Sequence, residues 1–421
     1  MRLLFVIVLI LSGLTMKAQT ITLEECLRLS RENYPLISDF ENLDKQLEFR
    51  LKALNTNYYP KLDATLQYTW QNDVPGFDSP APGFEVPKAP KEQYKAYVDV
   101  RQTIYDGGMT KAAKLLEESQ KLTERQSVEV QLYAIRTKVI ESYFLLLTLN
   151  QQLAQLEYNQ EILQQRLDEM TVAVKNGMLL QSEADLFEVE LLNVEQNKYA
   201  IQEGQKAALE ILHELTGSDF SLNEEFLVPV TLANKERPEY TLFEAQQNQL
   251  GDYQHLKGRQ RIPVVAGFGQ LGYGNPGYNM LKDELATFYM VGVSLKWNIW
   301  DWKATSNEKQ IIQLQTESVK IQEATFTKNL SLAEKEIKSS IRKLDKVLEK
   351  DDDIILLREK ITKARQSQMN NGTVTAADYI KEFNAESMAR LAKEIHLIEK
   401  TKAQVELSEL GIKQNLETKA Q

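Results

Sequence analysis

The segment Gly267–Gly272 could support nucleotide chemistry, because it matches the G-x-G-x-x-G fingerprint of dinucleotide-binding turns. In such a turn a helix begins at the glycines and points its N-terminus at the pyrophosphate. Here Tyr273-Gly-Asn-Pro-Gly277 follows, and this glycine- and proline-rich segment cannot be helical. We therefore interpret the match as a β-strand that ends in a turn, and no nucleotide cofactor is expected.

Metal chemistry has a few candidate ligands. Asp351, Asp352 and Asp353 are adjacent, but successive helix residues point about 100° apart, so the three carboxylates cannot converge on one cation. The expected alternatives are a solvated face or a negatively charged tunnel wall. No two of the histidines have ligand spacing, so exposed helix positions are expected for them, and Cys26 has no partner for a disulfide. The histidines are His213, His255 and His396. The sequence thus predicts no catalytic group, metal or cofactor.

The composition limits the possible partners. The formal net charge is −10 and no basic patch is interleaved with aromatic residues, which argues against binding of nucleic acid. Residues 1–18 resemble a secretory signal peptide, with Arg2, an apolar run from Leu3 to Leu14 and a small residue at Ala18. The run is shorter than the ~20 residues of a transmembrane helix. We expect an exported protein that begins at Gln19 and carries no lipid.

The same order of elements occurs twice, which predicts a tandem duplication. In each copy a helix precedes two strands, and two long helices with coiled-coil spacing follow. The first repeat covers 19–217, with helix 22–56, strands 60–71 and 94–105, and helices 108–175 and 183–215. After a linker over 218–236, the second repeat covers 237–415, with helix 237–260, strands 262–274 and 287–300, and helices 303–370 and 376–412. Helix 108–175 would be about 100 Å long, a length suited to crossing the periplasm.

Three of the four strands alternate apolar and polar residues over the length of a transmembrane barrel strand. A soluble sheet would show the same periodicity, but the signal segment and the aromatic strand ends favour a membrane barrel. Four strands cannot close a barrel, and open edges are not tolerated in lipid. The sequence therefore predicts a pore shared between several chains.

Short motifs in a specific order resemble the TolC-type outer membrane efflux protein family over almost the whole mature chain. They are Leu23-Glu-Glu-Cys-Leu27, Asn33-Tyr-Pro35, the strand openings at Pro60 and Pro263, Asp106-Gly107-Gly108, Arg237-Pro-Glu239, and Gly372 with Thr373 and Asp378. The resemblance implies a homotrimer with a twelve-stranded β-barrel and a tapering α-barrel. It also implies an equatorial region around Asp219–Arg237, a periplasmic adaptor protein and an inner-membrane pump.

The resemblance is incomplete at several positions. Tyr105 and Trp300 replace phenylalanine before the strand-to-helix junctions, and Trp302 replaces a glycine after Asp301. Asp185 follows Gly177 by eight residues, whereas Asp378 follows Gly372 by six, so a longer first turn is expected. Lys381 stands where the family often has a second acidic residue, which argues against a doubled aspartate ring at the closed end.

The expected fold is mainly α, with a coiled-coil α-barrel and a transmembrane β-barrel in the cell outer membrane. The expected function is the exit duct of a tripartite efflux or type I secretion system, without chemistry of its own. A structural coiled-coil scaffold would not need the amphipathic strands, and a secreted enzyme would need a catalytic constellation. The junction residues are Asp106, Gly107, Gly108 and Asp301, and the residues predicted to form a periplasmic tip, gate and adaptor-docking site are Asn176, Gly177, Asp185, Asn371, Gly372, Thr373 and Asp378.

Overall fold

The structure is a computed structural model, and it describes residues 20–75, 88–222, 224–229 and 236–411. The predicted signal peptide (1–18), residues 76–87 between the first two predicted strands, parts of the predicted linker over 218–236 and the end of the predicted second repeat beyond residue 411 lie outside the described residues. The described chain divides into two compact units. Of the described residues, those within 20–37, 129–238 and 325–411 belong to unit 1, and those within 38–128 and 239–324 belong to unit 2.

Helices dominate the chain. The seven α-helices among the described residues are α1 (Leu23–Asn33), α2 (Asp39–Asn55), α3 (Met109–Lys175), α4 (Gln181–Thr216), α5 (Pro238–Arg259), α6 (Ala304–Asn370) and α7 (Ala376–Glu409). α3 and α6 have 67 residues each, and both continue from unit 2 into unit 1. No helix in the described part of the chain has a stretch long and apolar enough to span a bilayer.

The continuous helix expected over 22–56 is interrupted, which corrects that prediction. α1 ends at Asn33 because Tyr34 adopts an extended conformation, as residues before a proline usually do. Pro35–Ser38 then forms a short 3₁₀ turn, and α2 begins at Asp39. The segment therefore makes two helices in different units.

Six strands lie in two sheets among the described residues. A small parallel sheet, which the sequence analysis did not predict, pairs β1 (Thr20–Ile21) with β4 (Glu225–Phe226). The larger antiparallel sheet has the order β2 (Lys61–Trp70), β3 (Glu92–Tyr105), β5 (Val264–Asn275) and β6 (Ala286–Lys296). The strand expected over 287–300 ends at Lys296, and residues 297–300 continue without ladder pairing.

The larger sheet has two chemically distinct faces. Its register places Leu66, Ala96 and Tyr273 on one face, and Gln67, Lys95 and Gly274 on the other. The apolar face is solvent-exposed in the single chain: Leu66 is 87 % exposed and Val291 is 82 % exposed. Its other exposed side chains are Leu62, Tyr68, Trp70, Tyr94, Val98, Val100, Leu271, Tyr273, Tyr289, Val293 and Leu295. We call the opposite side the polar face. Its side chains are those of Lys61, Asp63, Thr65, Gln67, Thr69, Lys95, Tyr97, Asp99, Arg101, Phe268, Gln270, Phe288, Met290 and Ser294.

Unit 1 contains two apolar clusters. One packs α1, α3, α4 and α7 around the fully buried Tyr143, whose single hydroxyl proton is shared between the carbonyls of Ile21 and Leu227 at 2.8 and 2.7 Å. Burial raises the pKa of Tyr143 well above its usual range, so it remains a donor. The other cluster lies beneath the turns that join α3 to α4 and α6 to α7.

Candidate functional site

Two five-residue turns form the centre of the site. One joins α3 to α4 over residues 176–180 to make the first hairpin, and the other joins α6 to α7 over 371–375 to make the second hairpin. Gly177 and Gly372 have φ of +70° and +71°, a region in which a side chain is strained. Both turns are Schellman motifs, because the two amides after each helix donate back to the same relative carbonyls. The bonds are Gly177 to Val174, Met178 to Ala173, Gly372 to Met369 and Thr373 to Gln368, each 2.9 Å from N to O.

The equal length of the two turns corrects the expectation of a longer first turn. α4 begins at Gln181, so its third residue is Glu183, as Asp378 is the third residue of α7. Asp185 lies two residues further along α4. Among the contacts of the described residues, it accepts a hydrogen bond only from its own helix, from Gln181 Nε2 at 2.8 Å. The sequence search for an aspartate missed Glu183, although it follows Gly177 by the same six residues.

Asp378 begins the second hairpin's return helix as a cap. Its carboxylate accepts from the Thr375 hydroxyl at 2.8 Å and from the Thr375 amide at 3.2 Å, and the Asp378 amide donates to the Thr375 hydroxyl at 3.3 Å. This reciprocal arrangement is a capping box. The hydroxyl of Thr375, followed by its amide, holds the pKa of Asp378 below its usual value. Asp378 is therefore ionised at neutral pH and stabilises the helix start.

Several polar contacts connect the two hairpins within the described residues, and we call three of them, made by Glu183, Glu190 and Asn159, the interhairpin ladder. Glu183 Oε2 accepts from the backbone amide of Ala376 at 2.6 Å. Further along the helices, Glu190 accepts from Asn384 and Asn159 accepts from Ser387, each at 2.8 Å. The ladder joins α4 or α3 of the first hairpin to α7 of the second, and it adds polar contacts to the apolar cluster that packs the two hairpins beneath the turns.

An aromatic and cationic contact supplements the ladder. The rings of Phe187 and Tyr379 lie 6.1 Å apart, and burial raises the pKa of Tyr379. Arg166 on α3 lies beside Tyr379 and pairs with Glu169 at 2.6 Å. Its Nε is buried and has no partner among the described residues. Arg166 was not singled out from the sequence, because an arginine on a polar helix carries no local signal of such contacts.

A cleft of about 390 Å³ opens between the two turns. Met170 and Met369 line it from the long helices, and the carboxylate-bearing Glu183 lines it from α4. Met178 and Leu180 at its rim are each 72 % exposed. The rim of the cleft therefore presents apolar side chains to solvent in the single chain.

The strand-to-helix junctions share one geometry. Asp106 accepts from the amides of Gly108 at 2.9 Å and Thr110 at 2.7 Å, and Asp301 accepts from those of Lys303 and Thr305, both at 3.1 Å. Each aspartate thus bonds the amides two and four residues ahead and starts a long helix.

The two residues after each junction aspartate adopt a left-handed backbone conformation. The φ values are +69° and +79° at Gly107 and Gly108, and +52° and +66° at Trp302 and Lys303. The second junction therefore keeps the backbone of the first without its glycines, at a cost in strain.

The other polar candidates have ordinary partners. Asp351 accepts from His396 Nδ1 at 2.8 Å, Asp352 pairs with Lys393 at 2.6 Å, and Asp353 pairs with Lys350 at 3.3 Å. The three carboxylates do not converge. His396 is half-buried in this pair rather than exposed, which corrects the expectation for that residue. No group of three His, Cys, Asp or Glu side chains in the described ranges could hold a metal ion.

Solved structures share this fold. No protein-family model and no curated protein matches the sequence. The Vibrio cholerae outer membrane protein VceC matches with a TM-score of 0.63 at 13 % identity, over 92 % of this chain and 96 % of that one. The Neisseria gonorrhoeae MtrE outer membrane channel matches with a TM-score of 0.63 at 12 % identity, and the match covers 92 % of this chain and 88 % of that one. The Campylobacter jejuni CmeC outer membrane channel matches with a TM-score of 0.60 at 13 % identity, and the match covers 92 % of this chain and 85 % of that one. The chain thus has the fold of these outer membrane channels, which confirms the TolC-like fold that the sequence motifs implied.

Proposed function

We propose that this protein is one subunit of an outer-membrane channel, the exit duct of a tripartite efflux or type I secretion system. The observation that carries the proposal is the four-stranded sheet, whose apolar face is exposed in the single chain. Soluble proteins rarely expose so large an apolar surface, whereas barrel strands that face lipid on one side and water on the other require this pattern.

The sheet also supports a shared barrel. Among the described residues, β2 and β6 pair on one side only. Unpaired backbone groups are too costly in lipid, so other copies of the chain must complete the ladder. Three copies would supply twelve strands, the number that the family resemblance implies, in a homotrimer surrounded by outer-membrane lipid.

Aromatic side chains mark one end of the apolar face. Trp297, Trp300 and Trp302 follow β6, and all three are exposed. Trp300 and Trp302 pack edge to face with their ring centroids 5.7 Å apart. Tryptophan is enriched at the boundary between lipid and water, so this end belongs at the periplasmic membrane surface.

The paired turns would form the periplasmic gate and the docking site for an adaptor protein that links the duct to an inner-membrane pump. The rationale is local. The ladder can hold the two hairpins closed, and the apolar rim of the cleft offers a surface to a partner chain. The protein performs no chemistry of its own in this scheme. A coiled-coil scaffold, the alternative from another class, leaves the apolar face unexplained.

The test is the assembly and conductance of the purified full-length protein. We expect the protein in the outer-membrane fraction, a detergent-corrected mass of three chains by light scattering, and ion-conducting pores in planar bilayers. A monomeric particle with intact β-signal in circular dichroism would contradict the shared barrel. A trimer that conducts no ions would contradict the channel.

A further inference from the structure

The segment that connects β5 to β6, residues 276–285, folds back onto the polar face of the sheet. The Tyr278 hydroxyl donates to Gln270 Oε1 at 2.9 Å. The Tyr278 ring packs edge to face on Phe288, with the centroids 5.0 Å apart. Gln270 and Phe288 both belong to the polar face, so the segment covers that face at the end of the sheet away from the strand-to-helix junctions.

The contact continues across the sheet to β3. Gln270 Nε2 donates to Asp99 Oδ1 at 2.8 Å, which makes a chain of hydrogen bonds from Tyr278 to Asp99. The Phe288 ring lies directly over Gly272, where an added Cβ would come within 2.5 Å of it. Tyr97 extends this aromatic surface, 6.4 Å from Phe288. The segment thus rests on a packed polar and aromatic surface.

Internal contacts hold the segment in shape. Asn275 Nδ2 donates to Asp283 Oδ1 at 2.8 Å, and Lys282 pairs with Glu284 at 3.0 Å. Pro276 is fully buried. Hairpin connections usually have two to about five residues, so ten ordered residues exceed what joining the strands requires.

We propose that residues 276–285 form an exit flap, which narrows the pore at the end of the barrel remote from the helices, and that Tyr278 is its latch. The proposal rests on the channel function, since the polar face is the pore wall only in a barrel. Tyr278 is half-exposed, and its hydroxyl can exchange Gln270 for water in a wet lumen. Exchanging a hydrogen bond within the protein for one to water changes the free energy only slightly in favour of the protein contact, so the flap can open and close.

The experiment compares Tyr278→Phe and Tyr278→Ala with wild type in planar bilayers, with the full-length trimer. Tyr278→Phe removes the hydrogen bond and keeps the ring, and Tyr278→Ala removes both contacts. Tyr273→Phe is the matched control, because Tyr273 lies on the apolar face of the adjoining strand. The readouts are single-channel conductance and the largest polyethylene glycol that blocks the pore when added from the side away from the helices.

In single-channel records of Tyr278→Phe, we expect the ratio of closed to open time to be about fivefold lower than in wild type. This factor corresponds to the ~1 kcal/mol of one hydrogen bond. Tyr278→Ala should conduct more at all times and admit larger polymers from that side, while Tyr273→Phe stays at the wild-type values. Wild-type behaviour in both Tyr278 variants would overturn the flap and leave the channel standing. A wild-type protein without conductance would overturn both.

Discussion

Glu183 and Ala376 are 193 residues apart in the chain, yet the Glu183 carboxylate accepts a hydrogen bond from the Ala376 amide at 2.6 Å. The first hairpin thereby caps the return helix of the second hairpin. α7 already has its own capping box from Thr375 and Asp378. The helix has an internal cap and an external one, and only the external cap depends on how the hairpins are placed.

Removing the external cap should loosen the interhairpin ladder. Glu183→Ala should lower the free energy of unfolding by about 1 kcal/mol, as the loss of a helix cap typically does. It should also increase the open probability of single channels at constant voltage. Asp185→Ala is the matched control, since Asp185 is an acidic residue of the same helix that contacts only its own helix among the described residues. Equal effects of the two substitutions would show that general charge, rather than the contact with Ala376, matters.

The turn glycines can be tested without steric interference. Gly177, Gly372 and Gly251 have no atom within 4 Å of an added Cβ, but only the first two have positive φ. Alanine should therefore destabilise the turns by ~1 kcal/mol at Gly177 or Gly372, and stabilise α5 by 0.5 to about 1 kcal/mol at Gly251.

Limited proteolysis provides the measurement for these alanine variants. Trypsin should cleave faster at Lys175, next to the first turn, in Gly177→Ala. A β-branched residue at either turn, such as Gly372→Val, should abolish export while the trimer persists. Wild-type cleavage rates and export in all of these variants would remove the turns from the mechanism.

The first junction should tolerate substitution unequally. A Cβ at Gly107 would lie 2.7 Å from the Ile262 side chain, whereas one at Gly108 would have its nearest neighbour at 3.8 Å. Because both residues have positive φ, Gly108→Ala should lower the free energy of unfolding by about 1 kcal/mol. Gly107→Ala should lower it distinctly more, because its Cβ also clashes with Ile262. Lys303→Gly at the second junction should raise the melting temperature of the helices by relieving strain. Equal melting temperatures for the two alanine variants would contradict this geometry.

The faces of the sheet predict opposite responses to a charge. Val291→Lys places an ammonium group on the apolar face, where lipid contact near the bilayer midplane costs about 2–4 kcal/mol. Met290→Lys places the same group on the polar face and should be tolerated. The yield of trimer in the outer-membrane fraction measures the difference. Equal yields of the two variants would contradict the assignment of the apolar face to lipid.

Much of the fold could be predicted from the sequence because its signals are periodic and long. The alternation of Leu62, Leu66 and Tyr68 indicated an amphipathic strand, and Asn-Gly before each return helix indicated the turns. The break at Tyr34 required attention to one proline within a helical pattern. The pairing of β1 with β4 could not be predicted, because two-residue strands have no periodicity.

The site was harder to predict than the fold, since its contacts join distant segments. Asp378 was identified from its spacing after Gly372, and the structure gives it a capping role. Glu183 was missed because the search required aspartate, although glutamate with one more methylene reaches across to the other hairpin. The partners of Arg166 and Asn159 depend on helix packing, which local sequence does not specify.

The one-sided pairing of β2 and β6 has a genetic consequence. If the barrel closes by joining β6 of one chain to β2 of the next, every contact is head to tail and each chain contributes to two of them. A variant whose β2 can no longer pair with β6 of the next chain would then prevent closure of any ring that contains it. With equal amounts of variant and wild-type chains, only about one three-chain ring in eight would be wholly wild-type. Such alleles should be dominant, whereas alleles that prevent export of the chain should be recessive.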